Sequence, residues 1–560
     1  MLPQRSLPRA RASIEASASS EGEAALVKPP SALYEALATE SGVAAIRGLN
    51  RGIEKESLRV AGDGLLARTE HPKALGSALT HPHITTDFSE AQLELITDVF
   101  DNAEACLEQL DGIHRFVYSV LDEEILWSAS MPCVLRNDDA IPIASFGSSN
   151  VGMAKTVYRR GLGHRYGRLM QTISGIHYNF SLPADFWPWY AAATGRSGSP
   201  QTLATEGYFG LIRNFRRHSW LLLYLFGASP AVCKSFLSGR DHELENFDEG
   251  SLYLPHATSL RMGGLGYQSD AQARLQVSYN SLEDYALTLR EALTRPYPEY
   301  QAIGLEQDGE FKQLSTSLLQ IENEFYGTIR PKRSIHQGER ALHALGERGV
   351  EYVEVRCMDL NPFLPLGIDA ETIRFLDAFL LHCLLSDSPE DSPEENEALR
   401  RNQTRIVNRG REPGLELEDR GAMRNRTQWA EEIIEACTRT AAALDEAQSG
   451  DDHARAIAAQ LARIRDPEQT PSARILHAMR EGPVPFFRFA MDASEIHAGH
   501  FRSRPLDAAS QTRFQQQSEA SLRRQAGIEA ADSMDFATYR RQYIEQELLP
   551  GRAPATAETG

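Results

Sequence analysis

Residues 84–97, ITTDFSEAQLELIT, decide the fold because they set acidic side chains into a strand pattern. In residues 92–96, QLELI, leucines alternate with Gln92 and Glu94. This period-two pattern is typical of a strand with one apolar and one polar face. An acid on a polar strand face is usually solvated, so Glu94 alone indicates no function. The segments that pair with this strand decide how Glu94 is interpreted.

Two other segments place charged side chains on strand faces. Glu54 and Glu56 are two residues apart in GIEKESLRV, so a strand projects both from one face. In residues 350–360, VEYVEVRCMDL, an apolar face opposes a polar face that carries Glu354 and Arg356. Acids gathered on one sheet repel one another and resist desolvation unless they are protonated or neutralised by cations. The pattern therefore predicts a site that binds divalent metal.

Further polar groups fit the same chemistry. His177 lies on the polar face of the alternating residues 171–182 and is a candidate ligand beside carboxylates. Residues 320–333, QIENEFYGTIRPKR, also alternate, and we expect a strand there. They end in a basic group suited to a triphosphate, formed by Arg330, Lys332 and Arg333. Because Mg²⁺ held by carboxylates usually carries nucleotide phosphates, these features indicate phosphoryl transfer.

Composition excludes several classes of protein. The chain has 560 residues, and its 42% hydrophobic content is typical of a soluble globular protein. With 58 basic against 77 acidic residues the net charge is −19, which disfavours a nucleic-acid partner. The six cysteines form no CxxC pair, which indicates a reduced, cytoplasmic protein. No apolar run reaches the roughly 20 residues that span a bilayer, so no membrane association is expected.

The chain divides by composition. Residues 1–30 are rich in Arg, Ser, Ala and Pro and are predicted to be a disordered tail. Residues 31–425 hold the strand patterns and are predicted to form the catalytic domain. Residues 426–549 are charged, Ala- and Gln-rich, and predict a helical region packed on that domain, without a catalytic constellation of their own. Residues 550–560 are predicted to be a second disordered tail.

The motifs together resemble a known family. The segments RGIEKESLRV, HPKALGSALTHPHITTDF, SMPC, TVYRRGLGHRYGRLMQTISGIHYNFSLP, YLFGASPAVC, ATSLRMGGLGY, LQIENEFYGTIRPKR and EYVEVRCMDLNPFLPLGID are similar, in order, to the proteobacterial-type glutamate-cysteine ligases. The resemblance covers residues 45–415. It implies an α+β fold with an open curved antiparallel sheet, forming a funnel as in the glutamine synthetase catalytic domain, with surrounding helices and a helical C-terminal part.

The resemblance also implies the activity and its residues. The γ-carboxyl of L-glutamate is joined to the amino group of L-cysteine through a γ-glutamyl phosphate, at the expense of ATP, as the first step of glutathione biosynthesis. Six residues fall on the family's Mg²⁺ positions, where Mn²⁺ also fits: Glu54, Glu56, Asp87, Glu94, His177 and Glu354. Arg356 falls on the arginine that meets the transferring phosphate, so Arg356 and Glu94 are the expected catalytic residues. The expected substrate residues are Phe88, Tyr158, Arg159, Leu162, Gln171, Arg261, Tyr267 and Tyr326.

Some features stay open at this stage. The resemblance implies the small-molecule substrates glutamate, cysteine and ATP, with feedback inhibition by glutathione and a monomer or weak oligomer. One alternative is a related ligase that joins another amine to glutamate with the same strands and a different acceptor pocket. Another is an inactive regulator that keeps the metal-binding fold. Loss of a metal acid or of Arg356 would favour that regulator, and none is lost.

Overall fold

The computed structural model describes residues 30–237, 240–265, 272 and 275–548. The predicted tails fall outside this part, except for residue 30. The helices are α1 (Pro30–Leu37), α2 (Glu40–Ile46), α3 (Ala103–Val120), α4 (Asn150–Tyr166), α5 (Phe186–Thr194), α6 (Pro200–Phe226), α7 (Leu282–Thr294), α8 (Pro298–Ile303), α9 (Ala341–Arg348), α10 (Ala370–Leu385), α11 (Pro393–Arg409), α12 (Arg426–Gln448), α13 (Asp452–Arg465), α14 (Pro471–Glu481), α15 (Phe486–Arg502), α16 (Ala508–Ala531) and α17 (Phe536–Ile544).

The strands form one larger sheet and several small ones. They are β1 (Asn50–Val60), β2 (Ile84–Thr86), β3 (Gln92–Ile96), β4 (Ile125–Leu126), β5 (Ile176–Ser181), β6 (Ala231–Cys233), β7 (Glu245–Asn246), β8 (Ser251–Tyr253), β9 (Glu306–Gln307), β10 (Glu310–Phe311), β11 (Ile329–Lys332), β12 (Tyr352–Met358), β13 (Glu416–Asp419) and β14 (Ala422–Asn425). The larger sheet has the order β11-β12-β5-β1-β3-β2, and β4 also pairs with β1. Every pair in it is antiparallel, which confirms the predicted antiparallel sheet within a mixed helix and sheet fold.

The apolar face of the sheet packs into the core as its alternation predicts. Leu93 and Leu95 on β3, and Val353 and Val355 on β12, are fully buried. Helix α6 packs against β12, and α10 packs against α6 in turn. The leucine-rich end of α6 is buried, and the helix stops at Gly227. These helices cover the apolar face, so the polar face is the one left for a ligand.

One predicted strand is wrong. Residues 320–333 do not form a continuous strand, because residues 322–324 make a 3₁₀ turn and only β11 is extended. The turn directs the two glutamates to separate buried arginines. Glu322 pairs with Arg340 at 3.0 Å, and Glu324 pairs with Arg165 at 2.9 Å. Each buried carboxylate therefore has its own counter-charge. An alternating strand would project both acids from one face, where they could not reach two separate arginines.

The C-terminal residues form helices that join the same core. Helices α12 and α13 pack on α10, and α16 packs on α3. Within the described ranges, none of the helices has both the length and the apolar character needed to cross a bilayer.

A buried ion pair ties the sheet to the helical layer. Arg51 on β1 lies 2.9 Å from the carboxylate of Asp377 on α10, and both side chains are about 1% exposed. The Tyr178 hydroxyl of β5 donates to the other Asp377 oxygen at 2.5 Å. The Arg51 contact is a close ion pair and not an aligned hydrogen bond. Since charges this deep are costly alone, each partner depends on the other.

Replacing Asp377 with alanine should destabilise the protein strongly. The change leaves the Arg51 guanidinium buried without a counter-charge, which costs about 3–5 kcal/mol of unfolding free energy. Chemical denaturation measures this cost. Glu291→Ala is the matched control, because the Glu291–Arg295 pair is exposed and contributes under about 1 kcal/mol. Equal losses in the two variants would contradict a structural role for the buried pair.

Candidate active site

The strand register brings the predicted acids together on one face of the sheet. Glu56 on β1 lies opposite Glu94 on β3. On the other side of β1, Glu54 lies opposite His177 of β5. Glu354 of β12 follows one strand further along, opposite Asn179 of β5. Four strands distant in sequence therefore contribute polar side chains to a single region.

A cavity of about 630 Å³ lies over this face. Its lining includes every described residue of the predicted site except Arg333: Glu54, Glu56, Asp87, Phe88, Glu94, Tyr158, Arg159, Leu162, Gln171, His177, Arg261, Tyr326, Arg330, Lys332, Glu354 and Arg356. Tyr267 lies outside the described residues. Arg333 instead faces Glu351, with 3.6 Å between Nε and the carboxylate. The structure thus places the described residues of the predicted site around one cavity and leaves Arg333 outside it.

His177 is the centre of the acidic cluster. Its Nδ1 lies 3.0 Å from Glu54 and its Nε2 lies 3.8 Å from Glu56. Asn179 donates to the other Glu54 oxygen at 2.9 Å. Burial raises the pKa of Glu54, but the His177 hydrogen bond and the charges of His177 and Lys332 together leave the pKa below its usual value. Glu54 is thus held charged beside a ring that offers a nitrogen ligand.

Two other acids in the cluster have no such compensation. Among the described residues, the carboxylates of Asp87 and Glu94 have no hydrogen-bond or ion-pair partner at contact distance. Burial, followed by the charges of Glu54, Asp87 and Glu56, raises the pKa of Glu94 well above its usual value. Burial and Asp87 also raise the pKa of Glu56, although its carboxylate accepts from the Gly175 amide at 2.7 Å. Protonation or a bound cation would relieve this repulsion.

The ligand atoms of the cluster are close enough to share one. One atom each from Glu54, Glu94 and His177 lies within 4.8 Å of the others. Carboxylate oxygens are the ligands that Mg²⁺ and Mn²⁺ prefer, and one imidazole is compatible with them. This set of donor atoms therefore fits a divalent ion. Such an ion would bind because it compensates the carboxylates of Glu94 and Asp87.

Glu354 has the opposite surroundings, because three cations meet its carboxylate. Arg356 donates to it at 2.8 Å, Lys332 lies at 3.1 Å and Arg330 at 3.7 Å. Burial raises the pKa of Glu354, but Lys332, Arg356, His177 and Arg330 together bring it well below the usual value. Glu354 is only 1% exposed, whereas Arg356 keeps 17% of its side chain exposed to the cavity. The glutamate thereby anchors a group of cations at the edge of the acidic cluster.

Helix α4 supplies a second positive wall. It begins where the Ser149 side chain accepts from the Gly152 amide, and it carries Lys155 and Arg159 over the Phe146 ring. Arg159 donates to the backbone oxygen of Asp87. Desolvation by the surrounding protein lowers the pKa of Lys155 to about 8, although its side chain stays exposed. An anion entering this part of the cavity would meet two neighbouring cations.

The remaining predicted substrate residues lie around these charges. Arg261 donates to the backbone oxygen of Arg356 at 3.0 Å and is 3.5 Å from Asp359. The Tyr326 hydroxyl lies 3.0 Å from the Met262 sulfur. Phe88 is buried beside Asp87, and Tyr158 and Leu162 are one helical turn apart on α4. This arrangement combines an anion-binding side with a small, largely apolar one.

Sequence reasoning missed part of the lining. Ile528, Tyr539 and Tyr543 of the C-terminal helices face the cavity, although no site was predicted in that region. Tyr539 and Tyr543 are four residues apart, so they share one helix face, which is the only sequence signal available. Nothing in that spacing indicates which distant element the face meets.

Comparison with known proteins gives one family. The model for glutamate-cysteine ligases matches residues 34–406. The glutamate-cysteine ligase of Pseudomonas paraeruginosa is 54% identical over 492 residues, which cover 88% of this chain and 93% of that protein. The Pseudomonas aeruginosa enzyme is 53% identical with the same coverage.

Two solved structures are also similar. The glutamate-cysteine ligase of Francisella tularensis in complex with AMP has a TM-score of 0.84 and 36% identity, covering 89% of this chain and 97% of its own. A bifunctional glutathione synthetase from Pasteurella multocida has a TM-score of 0.69 and 24% identity, covering 88% of this chain and 58% of its own. The second likeness concerns the fold alone.

Removing the Glu94 charge should stabilise the metal-free protein. Neutral pH lies above the ordinary pKa of a glutamate carboxyl. At such a pH, each unit by which folding raises that pKa lowers the free energy of unfolding by about 1.4 kcal/mol. Glu94→Gln should therefore unfold at a higher temperature than the parent in excess chelator. Saturating Mg²⁺ should reverse the order, because binding to the folded state stabilises it and the variant lacks a ligand.

Thermal unfolding with chelator and with Mg²⁺ measures both effects. Glu299→Gln is the control, because Glu299 is exposed and lies outside the cavity lining. A Glu94→Gln variant that melts below the parent in chelator would show that the carboxylate is favourable where it lies.

Proposed function

The chain belongs to the glutamate-cysteine ligase family, and we propose that the cavity over its sheet is where ATP, L-glutamate and L-cysteine react. The protein is an ATP-dependent ligase that forms γ-glutamylcysteine in glutathione biosynthesis. The observation that carries the proposed site is the position of the uncompensated acids beside the cations around Glu354. Metal and triphosphate need these two kinds of charge next to each other.

The chemistry explains why both kinds of charge are required. A carboxylate is a poor acyl donor, because its leaving group would be oxide. The γ-carboxylate oxygen of glutamate therefore attacks the terminal phosphorus of ATP, and ADP leaves. The cysteine amine then attacks the carbonyl of the γ-glutamyl phosphate, loses a proton, and releases phosphate. The first step joins two anions, so cations must lower their repulsion and stabilise the charge of the transition state.

We assign metal binding to the acidic cluster. Glu54, Glu56, Asp87, Glu94 and His177 would hold Mg²⁺ or Mn²⁺, and Glu94 would also lie beside the reacting oxygens. When bound, a divalent ion supplies charge neutralisation between carboxylate and phosphates. The place of Glu354 among the metal ligands stays a prediction from the family resemblance, since its carboxylate is already compensated by three cations.

The cations and the apolar residues divide the remaining tasks. Arg356 would hold oxygens of the transferring phosphate, with Arg330 and Lys332 on the rest of the triphosphate. Arg159, Gln171, Arg261 and Tyr326 would bind the amino-acid substrates. Phe88, Tyr158 and Leu162 would enclose the small cysteine side chain. The roles of Tyr267 in substrate binding and of Arg333 in ATP binding stay predictions.

We extend the proposal to the whole chain. The sheet would form an open, curved funnel like that of glutamine synthetase, within a catalytic domain of residues 31–425, and residues 426–549 would pack on it. Six buried cysteines without disulfides suit a cytoplasmic location. Glutathione contains the γ-glutamylcysteinyl group of the product, so it would compete for the same pocket. A monomer or weak oligomer would be active.

Cysteine should be the preferred acceptor. Phe88, Tyr158 and Leu162 line the cavity and are proposed to enclose the cysteine side chain, so larger amino acids should react with lower kcat/KM, whereas 2-aminobutyrate should still react. Release of ADP with glutamate, ATP and Mg²⁺, compared across amines and with excess EDTA, measures this preference. A bulky amine with a higher kcat/KM than cysteine would assign the protein a different acceptor, and full activity in EDTA would remove metal from the site.

Arg356→Lys should lower kcat roughly a hundredfold with little change in melting temperature. Lysine keeps a charge near Glu354 but loses the planar fork that can hold two phosphate oxygens. A transition-state contact of this kind contributes on the order of 3 kcal/mol. Steady-state kinetics with thermal unfolding separates this effect from a structural one.

Two variants serve as controls for Arg356. Arg295→Lys changes the same residue type at an exposed position outside the cavity lining, so its kcat should stay near that of the parent. Glu354→Gln should lower activity, and partial recovery at high Mg²⁺ is the result expected of a metal ligand, whereas no recovery would assign Glu354 to holding the three cations alone. A destabilised but fully active Arg356→Lys protein would make Arg356 structural, and recovery of Glu354→Gln in Mg²⁺ would make Glu354 a metal ligand.

A further inference from the structure

The segment 532–548, here called the C-terminal strap, is fixed at both ends to the walls of the cavity. At its start, the Asp532 carboxylate accepts from the Asn150 amide at the beginning of α4, at 2.5 Å. The Asn150 side chain donates to the Met534 backbone oxygen at 3.0 Å. At its end, Gln546 accepts from the backbone amide of Arg340 at 2.7 Å, just before α9. The strap therefore bridges α4 and the segment that follows β11.

A small apolar cluster holds the middle of the strap. Phe536 packs with Ala154, Val157 and Leu314, and its ring lies 5.3 Å from that of Phe311. This cluster is separate from the main core of the described residues. Helix α17 is thereby seated on α4, which carries Tyr158 and Arg159 into the cavity. This packing contact determines which face of α17 lines the cavity.

That face presents two tyrosines to the loop after β11. Tyr539 and Tyr543 line the cavity together with Ile335 and His336. A Cβ placed on Gly338 would lie 3.9 Å from the Tyr539 hydroxyl, so the loop and the helix are in contact range. Ile335 is 56% exposed, which is unusual for a large apolar side chain that lines a cavity. Two aromatic rings and an exposed aliphatic side chain make a surface suited to a flat aromatic ligand.

The direction of the chain relates this surface to the phosphates. Lys332 and Arg330 on β11 are two of the cations around Glu354, where the triphosphate is proposed to bind. The chain then runs from Lys332 to Ile335, and three extended residues span about 10 Å. A nucleotide with its phosphates at the cations thus has space for its base beside the strap. The acidic cluster lies at the other side of the same cations.

We propose that Tyr539 and Tyr543 of the C-terminal strap, with Ile335 and His336 opposite, bind the nucleoside of ATP. The inference rests on the proposed function only in taking ATP as the nucleotide and the cations around Glu354 as its phosphate site. It assigns a binding role to a helical region that lies beyond the residues matched by the family model, which end at residue 406. The rings would stack on the base, and the polar loop would contact its edge or the ribose.

Binding of ATP and of inorganic tripolyphosphate to the full chain tests the proposal. In Tyr543→Ala and Tyr539→Ala, the affinity for Mg²⁺-ATP should fall roughly tenfold, as for loss of one base-stacking contact. The affinity for Mg²⁺-tripolyphosphate should stay unchanged, because that ligand has no nucleoside. Tyr543→Phe should keep ATP affinity near that of the parent, since it retains the ring. Calorimetric titration measures all of these values without the amino-acid substrates.

The matched control is Gln542→Ala, which lies on the same helix, is exposed and is not part of the cavity lining. It should bind both ligands as the parent does. Photolabelling with 8-azido-ATP should modify residues 525–552, which include both tyrosines. Unchanged ATP affinity in both alanine variants, an equal loss for tripolyphosphate, or labelling elsewhere would overturn the proposal. Normal ATP binding without ligation of glutamate to cysteine would instead overturn the proposed function.

Discussion

The repulsion among buried carboxylates on one face of the sheet is the constraint on which this structure depends. Two acids are compensated inside the protein, Glu54 by His177 and Asn179, and Glu354 by three cations. Glu94 and Asp87 have no such partner among the described residues, so the folded protein retains an unfavourable interaction there. Strain of this kind is characteristic of functional sites, because a ligand that relieves it binds more tightly.

The opposite face of the sheet explains how the fold tolerates that interaction. The strands that carry the acids bury leucine and valine on their other side, against a helical layer that includes α6 and α10. The Arg51–Asp377 pair links β1 to that layer, and Tyr178 links β5 to it through the same aspartate. Since β1 and β5 are the strands of Glu54 and His177, the anchor lies directly behind the acidic cluster. Rigid support of this kind fixes ligand positions while the polar face stays open.

The local sequence pattern predicted which face of each strand is polar. It could not predict which residues distant in sequence would contact one another. The alternation in residues 350–360 correctly placed Glu354 and Arg356 on the polar face, and it did the same for Glu94. The alternation at Glu322 and Glu324 was equally regular, but the strand that it predicted is wrong. Arg340 and Arg165, which are distant in sequence, each pair with one of the two carboxylates. Only the family resemblance brought Gln171 into the site, and neither source indicated Tyr539 or Tyr543. A helix face shows its periodicity in sequence but not its partner.

Charge and enclosure are thus encoded in different parts of the chain, and the proposed chemistry needs both. An acyl phosphate reacts with water as well as with an amine, so a sheet that only supplied charge would lose the intermediate to hydrolysis. Helix α4 and the strap close two sides over the sheet, and they are joined to each other at Asn150. A wall that depends on this joint can exclude water only when the C-terminal helices are in place. The helical region lines the same cavity as the acids and cations, which all come from the preceding residues, and the proposed chemistry therefore makes it part of the active site.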